Sequence, residues 1–164
     1  MPYKKKTWQE KLKDDKGFPK TLKLETNFPC WPALKNKGAK SGDSVVLAPA
    51  SDVNELMTEA PNGKILTLNE ICKKLAEKHK ADYCCTLTTG IFINIVANAA
   101  EEIGSDVPYW RTIKNNGQLN EKYPGGTENQ KKLLEREGHT IIERGRKHIK
   151  YYVKDFEKNM MNLL

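Results

Sequence analysis

The chain has 164 residues, of which 38% are hydrophobic and 30% are charged. This composition excludes wholesale disorder and leaves room for one domain, or for a domain of about 100 residues with an extension. It lacks the run of about 18 apolar residues that a membrane span requires and the apolar core of a signal peptide, so we expect a cytoplasmic protein without membrane contact.

The net charge of +7 suggests a polyanionic partner, but the charge is unevenly distributed. Residues 1–50 carry a net charge of +6, residues 51–106 carry −4 and residues 107–164 carry +5. The acidic middle third counts against a simple DNA-binding surface.

The N-terminal region predicts a short basic helix over residues 7–14, followed by a stretch interrupted by Pro and Gly. We expect this stretch to be an irregular, basic N-terminal extension over residues 1–50 that packs through Phe28 and Trp31. After it, the sequence predicts a strand over residues 45–48 and a helix over residues 53–60, with Ser51 and Asp52 as capping residues.

The clearest local signal is a capping box, in which Thr67 and Glu70 begin a helix that extends to about His79. A turn over residues 80–83 then leads to a longer apolar helix over residues 88–103. A helix, a turn, a longer helix and then a hairpin are the elements of a helix-turn-helix motif in their usual order.

A polar and aromatic loop follows, reading V-P-Y-W-R-T-I-K-N-N-G over residues 107–117, and its Asn-Gly turn predicts a short hairpin. Beyond the Gly125-Gly126 turn we expect a helix over residues 130–137 that stops at Gly138. Two strands, 140–142 and 148–153, then predict a wing-like hairpin, and residues 155–164 predict a terminal amphipathic helix.

These motifs resemble the alkylguanine-DNA alkyltransferase family over residues 51–140, most strongly over residues 108–138. The family has an Ile-Pro-Cys-His-Arg-Val-Val loop, a Gly-rich loop, a helix and Leu-Leu-x-x-Glu-Gly; Pro108, Arg111 and Glu137 match this pattern. The resemblance implies a mostly α protein with small β elements. It would be a winged helix-turn-helix-like alkyltransferase domain over residues 51–164, with the extension packed on it.

The residue that performs the family's chemistry is absent. Tyr109 occupies the position of the acceptor Cys, and Trp110 occupies the position of the His that activates it. A phenol with a pKa of about 10 is a poor soft nucleophile, and an indole cannot act as a base. We therefore expect a protein that is not an enzyme, and the spacing of its His and Cys residues gives no reason to expect a metal or cofactor.

The family's Cys-lacking branch, the alkyltransferase-like proteins, binds alkylated DNA without repairing it. The resemblance implies a base pocket formed by Pro108, Tyr109, Trp110, Arg111 and Glu137. An aromatic side chain there can stack on an extruded base, which contributes roughly 1–3 kcal/mol. The alternative is that Tyr109 and Trp110 simply fill the pocket.

The second helix departs further from the family pattern. The resemblance implies the following DNA-facing residues: Lys64, Thr67, Thr88, Thr89, Phe92, Asn94 and Lys114. However, the position of the family's groove-entering Arg falls near Ile91 or Phe92, and residues 86–103 contain no Lys or Arg. An apolar side chain could act there as a wedge between base steps, or the helix could be a core element that no longer touches DNA.

The function most consistent with these features is non-catalytic binding of double-stranded DNA. The resemblance points to alkylated guanine as the target and to a repair protein as a further partner that acts on the exposed lesion. The alternative is a degenerate family scaffold that binds a protein or a small molecule rather than DNA.

Overall fold

The structure is a computed structural model that describes residues 5–161. The helices are α1 (Trp8–Lys13), α2 (Trp31–Lys35), α3 (Ala50–Thr58), α4 (Leu68–Lys78), α5 (Thr86–Ile103) and α6 (Gly126–Arg136). The strands are β1 (Lys20–Lys23), β2 (Ser44–Leu47), β3 (Leu66–Thr67), β4 (Tyr83–Cys84), β5 (Thr112–Ile113), β6 (Ile141–Arg144) and β7 (Lys150–Val153). The protein is therefore mostly helical with small β elements, as predicted.

The N-terminal extension is more regular than the sequence predicted. Its strand β1 pairs antiparallel with β2, and β2 pairs in parallel with β4, so residues 1–50 contribute the edge strand β1 and the central strand β2 of a three-stranded sheet. A small hydrophobic cluster beneath it contains buried Leu24 and Leu34, against which Phe28 and Trp31 pack. The extension packs through Phe28 and Trp31 as predicted, and these apolar contacts stabilise two short elements, β1 and α2, that the sequence did not predict.

The helix-turn-helix order is present. The Thr67 hydroxyl accepts a hydrogen bond from the Glu70 amide at 3.4 Å and so caps α4, which confirms the Thr67 half of the predicted capping box. The segment between α4 and α5 contains the short strand β4, so the prediction of a simple turn over residues 80–83 was incomplete. The main core lies between α3, α4 and α5, and it includes Val53, Leu75 and Val96.

Three local predictions require correction. Helix α3 begins at Ala50 after Pro49, so Ser51 and Asp52 lie inside it and do not cap it. The turn at Asn116-Gly117 forms, since Lys114 and Gln118 are joined by a 3.0 Å backbone hydrogen bond.

Strand β5, which precedes this turn, pairs in parallel with β3 rather than with a second strand after the turn. The expected terminal helix is a single 3-10 turn, Phe156–Asn159, and residues 162–164 of that prediction lie outside the described part of the chain.

The wing is present. Strands β6 and β7 pair antiparallel, and Gly138, with φ of +92°, ends α6 before they begin. The four cysteines are free and buried, and the described residues contain no group of His, Cys, Asp and Glu suited to a metal ion. No helix among the described residues is both long and apolar enough to cross a membrane.

Candidate nucleic-acid interface

Tyr109, at the position of the acceptor Cys, is a core residue. Tyr109 begins a 3-10 turn, Tyr109–Arg111, and is only 4% exposed. Its ring makes edge contacts with Trp110 and Tyr123, with centroids 5.4 and 5.5 Å apart. Burial and the nearby Glu101 carboxylate raise its pKa above the usual value, so the phenol is neutral. Tyr109 is therefore part of the main hydrophobic core.

The hydroxyl of Tyr109 has two partners at the edge of the core. It donates to Glu101 Oε2 at 3.4 Å and accepts a hydrogen bond from Asn129 Nδ2 at 3.3 Å. Asn129 also donates to the Pro124 carbonyl oxygen at 3.1 Å. The phenol is thus held by α5 on one side and by α6 on the other.

Trp110 is half-buried, and Arg111 packs against it with the guanidinium carbon 5.5 Å from the ring centroid. Among the described residues, the buried indole Nε1 of Trp110 has no hydrogen-bond partner. The buried Gln130 donates from Nε2 to the Trp110 carbonyl at 3.0 Å and accepts from the Asn120 amide at 2.8 Å. Gln130 thus links the loop to α6. No sequence motif had singled out this residue.

Arg111 and Glu137 form a nearly buried ion pair. Arg111 Nε lies 2.8 Å from Glu137 Oε1, and its Nη1 donates to the Ala60 carbonyl. The two side chains are 13% and 7% exposed. The pair joins the loop to the ends of α3 and α6, so its role in this structure is to fix the loop.

The predicted base-pocket residues therefore come together, but the pocket is closed. Pro108 is buried at the start of the same turn, and the Pro108 carbonyl accepts from the Arg111 amide at 3.2 Å. Tyr109 and Trp110 occupy the interior, while Arg111 and Glu137 satisfy each other. Pro108 and Tyr109 are buried, and Trp110, Arg111 and Glu137 are partly buried.

The predicted DNA-facing threonines lie largely inside the protein. Thr67 and Thr89 are 3% and 2% exposed. Thr89 donates to the Cys85 carbonyl at 2.8 Å, and the half-buried Thr88 donates to the Cys85 sulfur at 3.3 Å. Their hydroxyls are thus used to stabilise the start of α5. Phe92 packs edge-on against Phe18 of the extension, with ring centroids 5.4 Å apart.

Asn94 and Lys114 line an open cleft of about 570 Å³ between α5 and the segment over residues 112–123. The Asn94 side-chain oxygen accepts a hydrogen bond from Asn120 Nδ2 at 2.8 Å. Thr112 also lines this cleft, and its buried hydroxyl has no hydrogen-bond partner among the described residues. Lys64 is exposed but does not line this cleft.

The outer face of α5 is apolar. Leu87 is 50% exposed and Ile91 is 60% exposed, and their spacing of four residues places them on one face of the helix. Both side chains line the cleft. The family resemblance places Ile91 near the position of the groove-entering Arg, but no sequence motif singled out Leu87. The available signal was an apolar pair at i and i+4 on the face opposite the core stripe.

Positive charge reaches this face from neighbouring elements. Lys114 and Lys122 line the first cleft, although Lys114 is paired with Glu121 at 3.0 Å. A second cleft, of about 530 Å³, opens on the other side of Ile91 and includes Lys11 and Lys122. The face of α5 is therefore an apolar strip with lysines at its border.

Comparisons with known proteins bear on the fold. No family model matches the chain, and no curated protein does. Two solved structures of S. pombe proteins match. Atl1 in complex with damaged DNA containing O6-carboxymethylguanine is 22% identical, covers 70% of this chain and 94% of its own, and has a TM-score of 0.50. S. pombe ATL in complex with DNA is 21% identical, with the same coverage and a TM-score of 0.52. The chain therefore has the fold of these alkyltransferase-like proteins, as its sequence motifs predicted.

Proposed function

We propose that this chain is a non-catalytic DNA-binding protein that places the outer face of α5 in a groove of double-stranded DNA. The observation that carries the proposal is the pair of exposed side chains Leu87 and Ile91 on the second helix of the helix-turn-helix motif, with lysines at the border. The two solved structures with this fold are complexes with DNA.

The apolar outer face of α5 fits the minor groove of DNA better than the major groove. Proteins that bind the minor groove often insert apolar side chains between base steps and bend the duplex. Among the described residues, Ile91 is the most exposed of the large apolar side chains, and it is available as such a wedge. The bordering lysines would neutralise phosphates on either side of it.

The ligand proposed for the first cleft is a displaced, alkylated guanine. The volume of the cleft lies within the range of about 300–1,000 Å³ that is usual for small-ligand sites. Its walls include Leu68 and the half-exposed Leu87, whose apolar side chains suit an alkyl substituent. The lesion would remain exposed for a repair protein to act on.

The positions of Tyr109 and of the cysteines support DNA binding without transfer of an alkyl group to the protein. Tyr109 is buried and neutral, and all four cysteines are buried away from the loop. Thiolates, not thiols, act as alkyl acceptors. Burial and proximity to Cys85 raise the pKa of Cys30 to about 11. In the Cys72–Cys84 pair, the contact between the two sulfurs raises the pKa of Cys72 and lowers that of Cys84, but both residues are buried in the core.

The test is a titration of two labelled duplexes, identical except for one O6-alkylguanine, at low and at moderate salt. We expect tighter binding to the alkylated duplex and weaker binding to both at moderate salt. Failure to bind either duplex at low salt would reject the proposal and favour the alternative scaffold function. Equal affinity would leave DNA binding and remove lesion recognition. Mass spectrometry of the protein afterwards should show no alkyl adduct.

A further inference from the structure

Helix α1, in the N-terminal extension, is fixed against α5 by specific contacts. The Trp8 and Gln9 amides at its N-terminus donate to the Glu102 carboxylate at 3.2 and 3.3 Å. Leu12 packs on the main core, and just beyond α1 the Ser51 hydroxyl donates to Asp15 at 2.8 Å. Because these contacts reach three separate parts of the fold, α1 is a built element of the surface and not a loose basic tail.

The position of α1 creates the second cleft. The cleft is lined by side chains from α1, α5 and the segment before α6: Trp8, Lys11, Ile91, Asn94, Ile95, Asn98 and Lys122. Ile91 and Asn94 line the first cleft as well, so the two clefts form one continuous surface across the outer face of α5.

The charge of the second cleft is purely positive. It is lined by two lysines and no carboxylate, whereas the first cleft includes the Lys114–Glu121 ion pair. Among the described residues, neither Lys11 nor Lys122 forms an ion pair. Lys11 Nζ instead lies 4.2 Å from the centroid of the Trp8 ring, which orients the ammonium.

We propose that α1 is part of the nucleic-acid interface and that Lys11 and Lys122 together bind a backbone phosphate of the DNA strand that crosses α5. This inference rests on the proposed function, since it adds a contact to the same bound duplex. Its support is charge complementarity together with continuity between the two clefts. The extension would thereby supply cationic contacts that α5, which has no Lys or Arg, lacks.

The test compares Lys11→Gln with Lys13→Gln, a matched control on the same helix. Lys13 is exposed but does not line the cleft. Loss of one phosphate contact should weaken duplex binding roughly 5- to 10-fold near 0.1 M salt and reduce the slope of log K against log salt by about 0.9. We expect this of Lys11→Gln and of Lys122→Gln, but not of Lys13→Gln. Lys11→Arg should restore binding.

The outcomes separate the two proposals. If wild-type protein binds DNA and Lys11→Gln matches Lys13→Gln in both affinity and slope, this inference is overturned while the proposed function stands. If wild-type protein does not bind the duplex at low salt, the proposed function itself fails. Thermal unfolding of each variant shows whether α1 remains docked. The inference would also be overturned if Lys11→Gln lowers both the duplex affinity and the melting temperature and Lys11→Arg does not restore the affinity.

Discussion

Arg111 and Glu137 lie 26 residues apart in sequence, yet they form a two-pronged ion pair, with Arg111 Nε 2.8 and 3.1 Å from the two carboxylate oxygens of Glu137. Both residues match the alkyltransferase pattern, and the pair connects the aromatic loop to the end of α6. Two positions that match the family pattern therefore hold the aromatic loop in place in this structure.

Replacing Glu137 with Gln should destabilise the protein by about 3–5 kcal/mol, because it leaves the Arg111 guanidinium nearly buried without a compensating charge. Denaturant unfolding measures this change. Glu135→Gln is the control, since the Glu135–Lys131 pair is solvent-exposed and its loss should cost at most about 0.5 kcal/mol. Equal effects of the two variants would show that the buried pair has no special role.

Tyr109→Phe should retain DNA affinity and most of the protein's stability, because the ring packing is kept and only two long hydrogen bonds are lost. We expect a loss of about 1 kcal/mol in the free energy of unfolding. Tyr109→Ala should lose about 3–5 kcal/mol by leaving a cavity. If Tyr109→Phe instead removes the preference for an alkylated duplex without a change in stability, the phenol contacts the base and our assignment is wrong.

Tyr109→Cys should not restore alkyl transfer. The new thiol would lie in the core beside Trp110, which cannot accept its proton, and burial keeps a thiol protonated. Intact-protein mass spectrometry after incubation with an O6-alkylguanine duplex should therefore show an unmodified variant. A stoichiometric adduct at residue 109 would demonstrate that the pocket is open to a base after all.

The free energy of unfolding should fall as the pH is lowered below about 6.5. Burial lowers the pKa of His139 in the folded protein, so below the pKa of the unfolded state, near 6.5, the unfolded chain binds the extra proton. The contribution of neutral His139 to the free energy of unfolding is complete above pH 6.5. It decreases as the pH falls, until the pKa of His139 in the folded protein is reached. Unfolding measured at a series of pH values for wild type and His139→Gln tests this; an unchanged slope in the variant would contradict it.

The sequence was sufficient to predict the elements that depend on interactions between nearby residues. The Thr67 capping pattern, the apolar period of α5 and the Gly138 stop all reflect interactions within a few residues, and each predicted element is present. The short strands β3, β4 and β5 were not predicted because two-residue strands carry no periodicity. Their pairing depends on distant partners.

The candidate site was harder to predict because a motif shows which residues are close but not which way they face. The five loop residues do lie together, but the buried position of Tyr109 follows from its contacts with Tyr123 and Glu101, which the loop sequence does not reveal. Likewise, Thr89 is a polar residue on the predicted helix whose hydroxyl bonds to the backbone of its own helix. Burial of small hydroxyl residues in this way leaves no distinctive pattern.

We propose that the outer face of α5 binds duplex DNA. The sharpest test compares the duplex affinity of Ile91→Glu with that of Ile103→Glu. Both residues are exposed isoleucines on α5, 60% and 49% exposed, but only Ile91 lies between the two clefts. We predict that Ile91→Glu weakens duplex binding at low salt by more than about 10-fold, because a carboxylate would face phosphates and stacked bases, while Ile103→Glu binds like wild type. Equal affinities of the two variants, with both folded, would contradict the claim.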